Sequence, residues 1–419
     1  MDNMDTPAST KALMNPLLLK IVLSYMDVPT LESARSVCTL WADLGAAFLG
    51  EQVSVTFTTQ NCCRKNNSKS SKELGSLHPK LARSVLLIMV PSPCGWLSLP
   101  KNLTTNLPHI SDHIVEFDVT LSSRFEPTLE RMWMMHHFPN LGLLTLTFVM
   151  INIDTSDNSE DQDDSKENYP PKIPQFLTLP NLESLKIVVK DQNEIGQDDG
   201  ISSICQGLLN SASNVVNVTI YVSFYPDFTP CTKLEMLAYT YVHFRDKWTH
   251  EEVYVDFPIL TWMLDTCLDY VTRLTLSCRH DWNDLHEQIF MLPSMTKLVV
   301  LHIKGMFPLG NFLHQDHLPN LTHVTFSGYN RYGVCLPDTF ENFDLPHERI
   351  TSLDVDAVYR YFDQDVETAV KIARLFPSVK KFRLKLTIFD EGDDDPSRNG
   401  SVAILRHVEF DVWFGGDRE

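Results

Sequence analysis

The sequence predicts an α/β fold: a solenoid with parallel strands on its concave face and helices and loops outside, preceded by a short three-helix module. Three observations carry this. A plan of one apolar residue, then apolar residues three and five positions later, recurs from residue 114 to residue 410, and its clearest copies open with Pro followed by Asn or Ser. Helical periodicity appears between several of these copies. A separate, strongly apolar segment occupies residues 14–45.

In chain order, that apolar segment comes first. Pro16 stands at a helix start, and Leu18, Leu19, Val22, Leu23 and Met26 follow at mixed three- and four-residue spacings, giving a short helix with a wide apolar face. Pro29 opens a second turn or helix with Leu31 and Ala34 inward, and Val37, Leu40, Trp41 and Leu44 mark a third. Three short helices in about 30 residues do not make a self-sufficient core, so the module must dock onto something. Residues 46–79 read as a connecting segment whose stretch 64–72, RKNNSKSSK, is a basic surface loop.

The solenoid is expected over residues 80–419. The segments FPNLGLLTLTF (from Phe138), LPNLESLKIVV (from Leu179), LPNLTHVTFSG (from Leu318) and FPSVKKFRLKL (from Phe376) share one plan, and looser copies bring the total to eleven, the last at Leu405/Val408/Phe410. The copies lie 19 to 41 residues apart. Each apolar-x-apolar ending alternates as a short strand does, and the proline ahead of it stops the preceding helix. Helices are expected near residues 126–137, 200–209, 257–270, 285–292 and 363–376. In the last, Val366, Ala369, Val370, Ala373 and Phe376 form the apolar stripe. A strand and a helix in under about 30 residues cannot bury their apolar faces alone, so neighbours stack. The acidic stretch 154–168 reads as a loop between two copies, its residues 156–168 open to proteases and dispensable for stability.

These residues carry a resemblance. IVLSYM, an acidic turn with proline, and LESARSVCTLW, with Val37, Cys38 and Trp41 at its centre, resemble an F-box, although the usual Leu-Pro-x-Glu opening appears as Met14-Asn15-Pro16-Leu17. The strand plan resembles leucine-rich repeats, with the Asn or Cys that the family places after the strand missing in most copies. Together they resemble the substrate-recognition subunits of SCF-type cullin-RING E3 ubiquitin ligases, in the ubiquitin conjugation pathway. The resemblance implies an F-box docked to the adaptor subunit, and through it to a cullin, by Pro16, Leu19, Val22, Leu23, Met26, Leu31, Val37 and Trp41, some of which must instead hold the helices together. It also implies an unknown protein substrate held by the repeats, and a cytoplasmic or nuclear location. Two alternatives stand: a helical cap shielding the first repeat, and an interaction scaffold with no ubiquitin role. Because the two elements have separate apolar faces, removal of residues 1–45 is expected to leave the solenoid largely folded.

Strand alternation turns Thr275, Ser277, His302, Lys304, Thr325, Ser327, Asp354, Asp356, Arg383 and Lys385 toward one face. The aspartates there stand beside Arg383 and Lys385 and satisfy them, or else His302, Lys304, Arg383 and Lys385 present a cationic surface for an acidic or phosphorylated substrate segment.

Composition narrows the function classes. With 43% hydrophobic and 21% charged residues the 419-residue chain is expected to fold, and its longest strongly apolar run, residues 85–90, is far short of a membrane span. The net charge of −19 argues against nucleic-acid binding; much of it sits in residues 154–167, 191–199 and 390–395. No secretory signal opens the chain, and the nine cysteines, with Cys62 and Cys63 adjacent, show no zinc spacing, so a reducing compartment is expected and the Asn-x-Ser/Thr triplets are chance matches. HExxH, G-x-S-x-G and both phosphate-binding glycine motifs are missing, and the His136-His137, His314/His317 and His109/His113 pairs lack matching ligands. No enzyme activity, cofactor or metal is expected.

Overall fold

The computed structural model describes residues 13–58, 77–89, 101–122, 126–149, 173–190, 199–242, 255–278, 290, 292–305, 313–328, 334–335, 339–340, 343–359, 362–389 and 405–413. Stretches 64–72, 154–168, 191–198, 285–289 and 390–395, and Cys62 and Cys63, lie outside these residues. The chain divides into two compact units, residues 1–193 with 203–212, and residues 194–202 with 213–419.

The first unit opens with three helices. In α1 (Pro16–Leu23) the Asn15 side chain accepts from Leu17 N–H at 2.9 Å, which makes Asn15 the cap and Pro16 the first helical residue. Asp27 caps α2 (Val28–Ala34) in the same way, accepting from Thr30 N–H at 3.1 Å. The third helix, α3 (Thr39–Gln52), runs seven residues beyond Gly45 and passes through Val53 directly into β1 (Ser54–Thr58). Leu19, Leu23, Leu31, Ala34, Leu44 and Leu49 form the buried cluster, and Leu81 packs on it from outside the helices.

That contact corrects the expected boundaries. Residues 46–79 are not a plain connector, because α3 continues into them and β1 is the first strand of the sheet. α3 docks on a short 3-10 turn, Pro79–Leu81, where a Cβ on Gly50 would overlap the Lys80 carbonyl oxygen. The Asp43 carboxylate lies 2.6 Å from Lys80 Nζ and 3.4 Å from His78 Nε2, and Glu51 pairs with Arg83 at 3.0 Å.

From β1 the strands pair in parallel and in chain order: β2 (Ser84–Met89), β3 (Glu116–Ser122), β4 (Leu143–Val149) and β5 (Ser184–Lys190). Ala82, Val85 and Leu87, all buried, form a further copy of the apolar triple, ahead of the first expected one. Helices α4 (Lys101–Ile110), also unanticipated, and α5 (Glu126–Met135) lie between strands, as does α6 (Asp199–Ser211), whose Ser211 carbonyl accepts from Leu179 N–H at 2.9 Å. Trp133 of α5 meets Phe117 and Phe138 with ring centroids 5.9 and 4.7 Å away.

The second unit repeats the plan with β6 (Asn217–Val222), β7 (Met236–Tyr241), β8 (Arg273–Cys278), β9 (Val300–Lys304), β10 (His323–Ser327), β12 (Ser352–Tyr359) and β13 (Lys381–Phe389) in parallel; the two-residue β11 (Val334–Cys335) pairs with β12. α7 (Phe257–Asp265) ends five residues before the expected position, capped by Thr266. In α8 (Phe362–Leu375) the apolar stripe is in a different phase: Thr368, Ile372, Leu375 and Phe376 are buried, while Val370 and Ala373 are exposed. The larger Ile372 and Leu375 side chains take the interior. β14 (Leu405–Trp413) runs antiparallel to β13, with Leu384 opposite Phe410, so Leu405/Val408/Phe410 is a returning strand and not an eleventh copy.

Nine of the expected triples, from Ile114/Phe117/Val119 to Ile350/Leu353/Val355, are buried at all three positions. Most copies also begin with one carbonyl that accepts two consecutive N–H groups: Val115 from Gly142 and Leu143, Thr272 from Val299 and Val300, Thr322 from Thr351 and Ser352. The asparagine of the Pro-Asn step extends this ladder. Asn140 Nδ2 donates to the Asp112 carbonyl, Asn181 to Pro139 and Asn320 to Thr296, at 2.6, 2.6 and 2.7 Å, each time reaching the position two before the first apolar residue of the preceding copy. Arg349 does the same to Pro319 at 2.8 Å. These asparagines therefore join neighbouring copies from the start of the strand. Replacing Asn181 or Asn320 by alanine should cost about 1 kcal/mol each, read as a lower urea midpoint with unchanged slope.

Candidate functional site

Helix α1 is apolar almost all round, and a three-helix module has only one interior to offer. Leu19 and Leu23, four residues apart, face that interior. Leu17, Leu18, Ile21, Val22 and Tyr25 face outward with Leu13 and Met14 ahead of them, and Leu17, Ile21 and Tyr25 keep 72%, 57% and 87% of their surface in solvent. Positions 14, 17, 18, 21, 22 and 25 follow helical spacing, so the outward set is a continuous stripe.

The eight residues expected to dock the adaptor divide accordingly. Leu19, Leu23 and Leu31 are buried in the module core, and Met26 and Trp41 are partly buried against it. Trp41 Nε1 donates to the Leu13 carbonyl at 3.3 Å and so ties the chain ahead of α1 to α3, while Gln52 Nε2 donates to Met26 O at 3.2 Å. Pro16, Val22 and Val37 are exposed. Leu13, Met14, Leu17, Ile21 and Tyr25 were not singled out from sequence; the signal that could have found them is the apolar run on both sides of α1.

The second candidate surface is the open face of the second unit's sheet. One rung carries Thr275, His302, Thr325, Asp354 and Arg383 in register, and the next carries Ser277, Lys304, Ser327, Asp356 and Lys385. The expected four share this face with Asp354 and Asp356. Burial, followed by the Lys304 charge, holds the His302 imidazole below its usual range, so it is neutral at pH 7, and its Nε2 lies 2.8 Å from Ser327 Oγ. Lys385 Nζ stands 3.6 Å from Asp356 Oδ2, and Arg383 lies in register between Asp354 and Asp411. Lys385 and Asp356 thus form one compensated pair on this face.

Among the described residues, no group of three or more His, Cys, Asp or Glu is placed to hold a metal ion, and no helix is long and apolar enough to cross a membrane. Cys231 and Cys267 are buried with their thiols pushed up to about 12, so both hold their protons at neutral pH. Compared with known proteins, the chain matches no protein-family model and no curated protein.

Proposed function

We propose that the chain is the substrate-recognition subunit of an SCF-type cullin-RING E3 ubiquitin ligase. In this reading the helical module is an F-box that docks on the adaptor subunit, and the strand units are leucine-rich repeats that hold a protein substrate. The observation that supports it is the outward stripe of α1: Leu17, Leu18, Ile21, Val22 and Tyr25 stay in water after the module has closed its own core. A face of this kind stabilises an assembly by burial, at about 25 cal/mol per Å2 of apolar area. The same module also covers the first repeat through α3, so the cap reading describes α3 but leaves the α1 stripe without a role.

The test is capture of the adaptor and cullin by the full chain. Leu17→Glu together with Ile21→Glu should reduce capture at least 100-fold, because burying one such side chain contributes about 1.5–3 kcal/mol and a buried unpaired carboxylate opposes docking. Thermal stability should stay unchanged, since neither side chain touches the module core. Capture at wild-type strength by this variant, or no capture by the wild type, would overturn the assignment.

A further inference from the structure

The first unit's sheet has an open face of a different character. One rung places Ser84, Glu116 and Leu143 in register across β2, β3 and β4, and the next places Leu86, Asp118 and Thr145. Glu116 and Asp118 therefore project from the same side of β3, about 7 Å apart along the strand. Leu86 flanks Asp118 on one neighbouring strand, and Leu143, 37% exposed, flanks Glu116 on the other. These residues line a cavity of about 200 Å3.

We infer that this cavity is a socket for one lysine or arginine side chain of an extended protein segment. The inference rests on the substrate-receptor reading and names the chemistry of the segment held. Apolar walls and two carboxylates match the two parts of such a side chain: the methylene stem lies along Leu86 and Leu143, and the cationic head sits between Glu116 and Asp118. Neither carboxylate has a hydrogen bond or an ion pair within 4 Å among the described residues. Of the lining hydroxyls, Ser54 Oγ and Ser84 Oγ are 2.8 Å apart and engage each other.

Size and spacing select this occupant. Small-molecule and cofactor sites run to roughly 300–1,000 Å3, so the cavity holds a side chain and not a whole ligand. A divalent ion needs oxygens at about 2.0–2.6 Å, which carboxylates on residues two apart along an extended strand, with no third acidic neighbour, do not provide. Lys186 and Lys190, the cations whose fields reach Asp118, belong to β5 and do not line the cavity. Burial still raises the Asp118 carboxyl against those two lysines, which leaves a partly desolvated acid that a bound cation would hold ionised.

The experiment uses the full chain and fluorescein-labelled decapeptides of alternating Thr and Val with one central Lys, Arg, Met or Glu, read by fluorescence anisotropy at low salt. The Lys and Arg peptides should bind at least tenfold more tightly than the Met and Glu peptides. Glu116→Gln with Asp118→Asn, which keeps the cavity's shape, should remove that difference. The control variant Glu183→Gln with Glu235→Gln alters net charge equally at exposed positions outside the cavity and should preserve it. Equal binding of Lys and Met peptides, no wild-type binding up to about 1 mM, or equal loss in the control would overturn the socket. Adaptor capture, measured separately, keeps the two readings apart: capture without selective peptide binding removes only the socket, and selective peptide binding without capture removes only the ligase assignment.

Discussion

A chain that begins at residue 46 should lose the protection of β1 and β2 against hydrogen exchange while the strands of the second unit keep theirs. The cut falls inside α3 and strips away Leu19, Leu23, Leu31, Ala34 and Leu44, the side chains that cover Leu49 and Leu81. It also removes Asp43, the partner of Lys80 and His78, and shortens the helix that presses Gly50 against the 3-10 turn. Leu81 lies three residues before the start of β2, and β1 is joined to α3 through the single residue Val53. Exposing apolar side chains of this size costs about 1.5–3 kcal/mol each, which is a large share of the stability of a marginal end unit. The expected exchange pattern is fast amides in residues 54–58 and 84–89. Full protection of β1 and β2 in the shortened chain would show that module and repeats are separable, as the sequence alone had suggested.

The continuity of α3 with β1 argues against that separation. The expected module ends at residue 45, where the apolar spacing that marks its third helix runs out. In the structure Gly45 and Gly50 lie within α3, where their missing side chains allow close approach, to the Arg35 side chain at Gly45 and to the Lys80–Leu81 backbone at Gly50. The need for such a contact leaves no periodic signal in a single sequence. The repeats were far more legible, because burial inside a parallel sheet enforces a strict alternation, and because Asn140, Asn181 and Asn320 each perform one backbone-bonding task at one fixed offset. Strand direction leaves no such trace. Leu405, Val408 and Phe410 match the plan, yet β14 returns antiparallel to β13.

The candidate surfaces were legible in outline and ambiguous in detail. Strand alternation correctly gathered His302, Lys304, Arg383 and Lys385 on one face, but period-two reasoning does not report charge compensation, which depends on which strand lies next door. In α1 the difficulty is the reverse: apolar residues at 17, 18, 19, 21, 22 and 23 give the helix no single apolar side, so the pattern could not divide interior from exterior. The structure divides them by giving the interior to the pair four residues apart, Leu19 and Leu23.

Trp133→Ala should be among the most destabilising single substitutions in the first unit, by about 3–5 kcal/mol, seen as a lower urea midpoint for that unit. Trp133 is 1% exposed and wedged between Phe117 of β3 and Phe138, where truncation would leave a cavity lined by two aromatic rings. Its indole has a second property: among the described residues, the buried Nε1–H has no hydrogen-bond partner. An unsatisfied buried donor costs about 1–3 kcal/mol, so the wild-type side chain combines a large apolar contribution with an opposing polar cost. Trp133→Phe separates the two. It gives up part of the ring volume, retains aromatic contact with Phe117 and Phe138, and deletes the unpaired donor. The expected result is a loss within about 1 kcal/mol of wild type, well short of the alanine variant. If Trp133→Phe were as damaging as Trp133→Ala, the indole N–H would have a partner in solution, and ring volume alone would no longer explain how α5 is held to β3.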